Sequence, residues 1–262
     1  MKILELIKLL EQEFPLNSAV DGDRIGLQIQ STNPEIKKIH ILYELNSDTI
    51  NEAIKLNSDL IISFHPLIYS PLQSIVESDR VGRLSSEIIR NNMSLYVIHT
   101  NFDTYKNGTN VLFANNLDLE IESYLLPNEK YTDRGMGIIA RGKEKELFAE
   151  ELLQRVKKIC NSPVKISKFD KSKKCKKIAI ICGSGSSYIS EAIEQNCDTI
   201  ITADCSYHKF HEAEGKIMII DPGHNEMEKF VAKGLFSAIK KLINENIAIT
   251  YSEINTNPIF YL

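Results

Sequence analysis

Of the six histidines in this 262-residue chain, four lie just beyond apolar runs that read as strands: His65, His99, His208 and His224. Chance would scatter them. The stretches are Ser63-Phe64-His65-Pro66-Leu67, His99-Thr100-Asn101-Phe102-Asp103, Asp204-Cys205-Ser206-Tyr207-His208, and Asp221 through Glu228. His224 and Glu228 are four residues apart at a helix start, which puts both side chains on one face. An imidazole and a carboxylate converging on one point are a common ligand set for zinc, iron, manganese or cobalt. Asp103 and His65 would complete the set if the strand ends meet. A carboxylate can bridge two ions, so Asp103 or Glu228 is suited to touch both members of a two-metal site.

Each residue has a plainer reading when taken alone. A single histidine after a strand is usually a hydrogen-bonded turn residue, and Glu228 alone would be a solvated helix residue. Asp221 before Pro222-Gly223 is a natural turn and helix-capping residue. The cluster is harder to dismiss than any of its members. Gly183-Ser184-Gly185-Ser186-Ser187 also follows a strand and opens a helix. It reads equally as an anion-binding turn or as a plain tight turn.

The elements that must position these groups are legible as alternating runs. Strands are expected at 39–43, 60–64 and 95–98, with helices at 49–56 and 81–91 between them. A helix at 110–116 follows, and Pro127 marks 124–128 as a linker. Beyond it come a strand at 136–140, a helix at 145–160 and a strand at 164–169. Strands at 178–182, 199–202 and 217–220 follow, each leading into a helix. A long helix at 225–244 and a strand at 247–252 close the chain. The N-terminal segment from Met1 to Lys8 carries charge at helical spacing and reads as an amphipathic helix.

The two halves repeat one another. Ser47 through Ile54 aligns with Ser186 through Ile193, an offset of 186 − 47 = 139. Asn57, Asp59, Ile61 and Ile62 fall on Asn196, Asp198, Ile200 and Ile201, and His65 falls on Asp204. A shorter echo sets Leu95 through His99 against Ile217 through Asp221. The expected fold class is therefore α/β: two related lobes from an internal duplication, with mixed, largely parallel sheets. The first lobe is expected at 1–125 and the second at 126–262, with the segment 245–262 able to pack back on the first. Ligands gather at the carboxyl ends of strands in such sheets.

Composition narrows the function classes. At 43% hydrophobic and 25% charged, the chain is an ordinary globular protein. A net charge of −4 argues against nucleic acid and anionic membranes as partners. The basic run from Lys165 to Lys177 reads as a solvated loop, because a nucleic-acid patch would interleave more aromatics than Phe169. No run of about 18 apolar residues suggests a membrane span. Five cysteines without C-x-x-C spacing fit small core residues in a reducing, cytoplasmic setting.

Taken together, the motifs resemble a known family. Asp23-Arg24-Ile25-Gly26-Leu27-Gln28 stands where that family has an Asp-Asn-x-Gly-Leu-Gln element. The His-Pro-Leu segment, His99 through Asp103 with Asn107-Gly108, Asp204 through His208, and Gly223-His224 with Glu228 continue the likeness nearly end to end. The chain resembles the GTP cyclohydrolase 1 type 2 homologs, also called the Nif-three-like, dinuclear-metal-centre hexameric proteins. The resemblance implies a toroidal homohexamer and two metals in a cleft between the lobes. It implies His65, Asp103, His224 and Glu228 as ligands of one or two divalent ions per chain. The first of the family's two adjacent histidines is missing, because Phe64 stands there and cannot ligate. His99 and His208 would line the cleft as candidates for catalytic proton transfer or for support of the ligands. The segment between the lobes is too short for the family's frequent inserted middle domain. Two functions stay open: metal-dependent, cyclohydrolase-like hydrolysis of a small phosphorylated or nucleotide substrate, or a non-enzymatic hexameric metal-binding scaffold or regulatory protein.

Overall fold

Every residue of Leu60–Ser63 and of Ser94–Val97 is buried, as expected of parallel strands covered on both faces. The computed structural model describes residues 1–143, 146–243 and 246–261. From the N-terminus its elements are α1 (Ile3–Glu13), β1 (Gly26–Ile29), β2 (Lys38–Leu42), α2 (Ser47–Lys55), β3 (Leu60–Ser63), α3 (Arg80–Arg90), β4 (Ser94–Val97) and α4 (Thr100–Asp103). Then come α5 (Thr109–Asn116), β5 (Leu119–Pro127), β6 (Gly135–Gly142), α6 (Ala149–Cys160), β7 (Lys165–Ile166), β8 (Ile178–Ile180), α7 (Ile189–Glu194) and β9 (Thr199–Ile201). The chain continues through α8 (Tyr207–Glu212), β10 (Met218–Asp221), α9 (His224–Glu228), α10 (Val231–Leu242) and β11 (Ala248–Tyr251). The expected ends of two helices at Lys145 and Asn244, and residues 245 and 262 of the C-terminal segment, lie outside the described residues.

These elements form two units, Met1–Phe102 with Val231–Pro258, and Asp103–Phe230 with Ile259–Leu262. The first unit holds a five-stranded sheet in the order β1-β4-β3-β2-β11, parallel except where β1 meets β4. One face of this sheet buries Leu42, Ile61, Leu95 and Val97 against Ile50 and Ala53 of α2 and Leu84 and Ile88 of α3. The second unit holds a six-stranded sheet in the order β5-β6-β8-β9-β10-β7, whose parallel core is β8-β9-β10. Alternate residues of that core face opposite ways. Ile178, Ile180, Ile201 and Ile220 join Leu152 and Val156 of α6, while Ala179, Ile200 and Ile219 join Ile189 and Ala192 of α7. Burying one such aliphatic side chain is worth about 1.5–3 kcal/mol, so the alternation fixes the register firmly.

Several expectations need correction. Residues 124–127, expected in a linker, belong to β5, which pairs along its length with β6. Pro127 ends that strand rather than interrupting it, a position proline tolerates. The lobe boundary expected at residue 125 therefore falls inside a strand, and the units divide at Phe102 and Asp103 instead. The helix expected from 225 is two helices, α9 and α10, parted at Lys229 and Phe230. Gly26–Ile29 adds an edge strand where none was expected; its glycine-initiated run is too short for a periodic signal.

The repeat at offset 139 survives in the ladders: Ile39 faces Leu60 in one sheet as Ile178 faces Thr199 in the other. The shorter echo does not survive. Thr199 faces Met218, and its counterpart Leu60 faces Ser94, so Met218 corresponds to Ser94 rather than Tyr96. A slip of two residues leaves every side chain on the same face, which is why the apolar pattern could not reveal it.

Candidate metal centre

In the second unit, α9 opens at His224 behind Gly223, and one turn later Glu228 points inward with a side chain only 3% exposed. His224 Nε2 stands 3.0 Å from Glu228 Oε2, and His224 Nδ1 stands 2.7 Å from Asp204 Oδ2. Ser184 Oγ hydrogen-bonds Asp204 and lies 3.5 Å from the same Nδ1. Burial pulls the pKa of His224 down, but hydrogen bonds to Asp204 and Glu228 outweigh it and push it up to about 10. Asp204 and Glu228 thus flank the ring at its two nitrogens. The hydrogen bond from His224 holds the Asp204 carboxyl below its ordinary range despite burial.

Gly183 makes room for this pair. Its φ of +68° is the left-handed region that glycine favours. A Cβ there would collide with Glu228 Oε1 and lie 3.3 Å from His224 Nε2. The N–H of Gly185 donates to Gly183 O at 2.9 Å and to Thr202 Oγ1 at 3.0 Å, so this turn packs against the ligand pair.

Asp103 ends α4 and is tied into the same unit. Asn110 Nδ2 donates to Asp103 O at 2.9 Å, and Asn110 Oδ1 accepts from Cys182 N at 2.8 Å. The Cys182 thiol is pushed well above its usual pKa by burial, then by the negative charges of Glu228 and Asp103. Both carboxylates therefore press on one buried sulfur. His224 and Glu228 pair a borderline with a hard donor, their ligand atoms within 4.8 Å of each other. That donor set fits a divalent cation, which would take the place of the proton on His224 Nε2.

In the first unit, His65 follows β3 with Nδ1 2.9 Å from Glu44 Oε2, and Arg80 bonds the other Glu44 oxygen at 2.8 Å. Burial would raise the Glu44 pKa, but His65 and Arg80 hold it below the usual range. His99 Nδ1 lies 3.0 Å from Asp23, to which Thr100 also donates. Burial opposes ionisation of Asp23, yet these donors bring its pKa to about 2. The His65 ring centroid is 5.4 Å from that of His99 and 4.7 Å from that of Tyr43. Phe64 is fully buried and stacks on Tyr43 at 6.0 Å, so position 64 offers packing and no ligand atom.

The second unit thus pairs His224 with Glu228 and also carries Asp103, while the first sets His65 beside His99. His208 stands apart on α8, exposed, 5.5 Å from the Tyr207 ring. Asp23, Glu44, Asp204 and Ser184 were not singled out as site residues. Each lies at a strand end or in a glycine turn, which is the signal that could have found them. Several lysines of the basic run are engaged locally: Lys165 meets Asp221 at 2.6 Å, and Lys173 Nζ donates to Asp198 O at 2.9 Å. All five cysteines are buried and unbridged. Among the described residues no helix is long and apolar enough to cross a membrane.

The profile of Duf34/NIF3 (NGG1p interacting factor 3) matches residues 1–258. The chain belongs to that family. It is 30% identical to a GTP cyclohydrolase 1 type 2 homolog of Streptococcus pneumoniae and 31% identical to one of Clostridium acetobutylicum, with 98% of each chain covered in both cases. A crystal structure of a Staphylococcus aureus hypothetical protein superposes with a TM-score of 0.92 at 26% identity, covering 100% of this chain and 99% of the other. A Bacillus cereus protein related to NIF3 has the same fold, with a TM-score of 0.90 at 23% identity.

Proposed function

We propose that this protein binds a divalent metal through His65, Asp103, His224 and Glu228, and hydrolyses a small phosphorylated or nucleotide substrate. The observation that carries the reading is the buried Glu228 carboxylate 3.0 Å from His224 Nε2 in a pocket that Gly183 leaves open. A bound divalent ion supplies Lewis acidity and lowers the pKa of its water toward about 7. The chain's own residues do the rest. Glu44 holds the His65 ring by Nδ1, and Asp23 holds the His99 ring in the same way. His99 is the residue we assign to proton transfer, with His208 as the second candidate. A groove of about 1080 Å³ in the second unit, walled by Lys165, Phe169, Cys205, Tyr207 and Phe210, supports a small-molecule substrate. Family membership and the naming of its relatives as GTP cyclohydrolase 1 type 2 homologs support the cyclohydrolase-like class, and we propose a homohexameric assembly and a cytoplasmic location.

One observation favours a second reading. Phe64 is locked in an aromatic stack where the resemblance calls for a ligand, so a scaffold holding one ion without turnover is the alternative. Metal analysis of purified protein, with turnover assays on nucleotides and phosphoesters, separates them. Near two ions per chain with metal-dependent turnover would exclude the scaffold; one ion or none without turnover would exclude the enzyme. Phe64→His should raise metal occupancy, and unchanged stoichiometry would show that position 64 lies outside the site.

A further inference from the structure

The two carboxylates that touch His224 do different work. Glu228 is on α9 with its ligand partner, buried and one turn away. Asp204 arrives from the loop after β9, 20 residues earlier in sequence, and takes the other ring nitrogen at 2.7 Å. Its backbone is held in the left-handed region, φ +54°, an uncommon conformation for a residue other than glycine. Ser184 Oγ donates to the same Oδ2, so the carboxylate is clamped from two sides. With Nδ1–H directed at Asp204, the neutral ring has its lone pair on Nε2, the atom that faces Glu228. A histidine ligand with its remote N–H on a carboxylate is oriented and made more basic. The same relation occurs in the first unit, where Glu44 takes Nδ1 of His65 at 2.9 Å.

We propose that Asp204 is a positioning residue for the metal site, fixing the Nδ1–H tautomer and the ring orientation of His224, with Ser184 holding Asp204 in place. At offset 139, Asp204 is the counterpart of His65. One position of the repeat therefore presents a ligand in the first copy and the residue that aims a ligand in the second. This assignment rests on the metal-binding reading. It predicts no direct contact between Asp204 and the ion.

The test is metal affinity, measured by competition with a chromophoric chelator for Zn²⁺ and Mn²⁺, on the full chain and three variants. Asp204→Ala should weaken binding by about 10- to 100-fold, the range seen when such supporting groups are removed. Asp204→Asn can still accept from Nδ1–H but lacks the charge, and it should fall between Ala and the native chain. His224→Ala should lose the site. In the ¹⁵N spectrum of the Zn²⁺-loaded protein, His224 should show metal on Nε2 and hydrogen on Nδ1, and in Asp204→Ala that preference should be lost. A purely structural role for Asp204 would leave this pattern intact. Native-like affinity and tautomer in Asp204→Ala, with binding lost in His224→Ala, would overturn the positioning role alone. No binding by the native chain would overturn the metal reading and this role with it.

Discussion

The β2-α2-β3 segment of the first unit and the β8-α7-β9 segment of the second are one construction used twice, up to the strand ends. Asn57 and Asn196 both take left-handed conformations after their helices, φ +51° and +59°. Asp59 Oδ2 accepts from the N–H groups of Lys37 and Lys38, and Asp198 Oδ2 accepts from those of Lys176 and Lys177. Lys38 Nζ donates to Leu56 O, and Lys177 Nζ donates to Gln195 O. Every partner obeys the offset of 139. At the strand ends the likeness stops. Glu44, Phe64 and His65 stand in the first copy where Gly183, Ala203 and Asp204 stand in the second. The first copy fills its strand ends with an aromatic stack; the second empties them so that α9 can deliver His224 and Glu228. Scaffold contacts are kept and chemistry diverges, because only the strand ends are free of the ladder.

The largest expected effect sharpens that asymmetry. Glu228→Gln should reduce divalent-metal affinity at least ~100-fold, no less than loss of a supporting residue. His99→Ala in the first unit should leave stoichiometry unchanged. Equal losses in a metal titration would mean that His99 is itself part of the binding group.

Acid should expose the other unit. Asp23 has a pKa near 2 when folded and an ordinary carboxylate value when unfolded, so its contribution is complete above about pH 4 and fades as pH falls toward 2. The size is about 2 kcal/mol. Asp23→Asn should flatten this part of a stability-versus-pH curve from chemical denaturation; a curve of unchanged shape would refute the role of the His99 and Thr100 contacts.

A smaller effect is expected at Gly183. Gly183→Ala forces a left-handed alanine at about 1–2 kcal/mol and pushes on Glu228, so the melting temperature should drop by roughly 2–8 °C. A melting curve indistinguishable from the native one would show that the pocket yields. The smallest effect probes the shared scaffold: Asp59→Ala and Asp198→Ala should each cost about 1–2 kcal/mol and by similar amounts. A twofold disparity in urea midpoints would break the likeness.

Much of this was legible in the sequence because buried parallel strands write unbroken apolar runs. The ends of those runs locate His65, His99 and His224 within two or three residues. The i, i+4 spacing alone places His224 and Glu228 on one helix face. What escaped was long-range. Glu44, Asp204 and Asp23 meet their histidines across 21, 20 and 76 residues, and no periodicity links positions so far apart. Proline misled at Pro127, since a strand terminus tolerates it as readily as a linker does. The break between α9 and α10 carries no glycine or proline to announce it.

The central claim is that His224 and Glu228 hold a divalent cation. Anomalous scattering from crystals of the protein soaked in Mn²⁺ or Zn²⁺ tests it most directly. A peak within coordinating distance, about 2.0–2.2 Å, of both His224 Nε2 and a Glu228 carboxylate oxygen is expected. Full occupancy elsewhere, with His224 Nε2 still 3.0 Å from Glu228 Oε2, would contradict it.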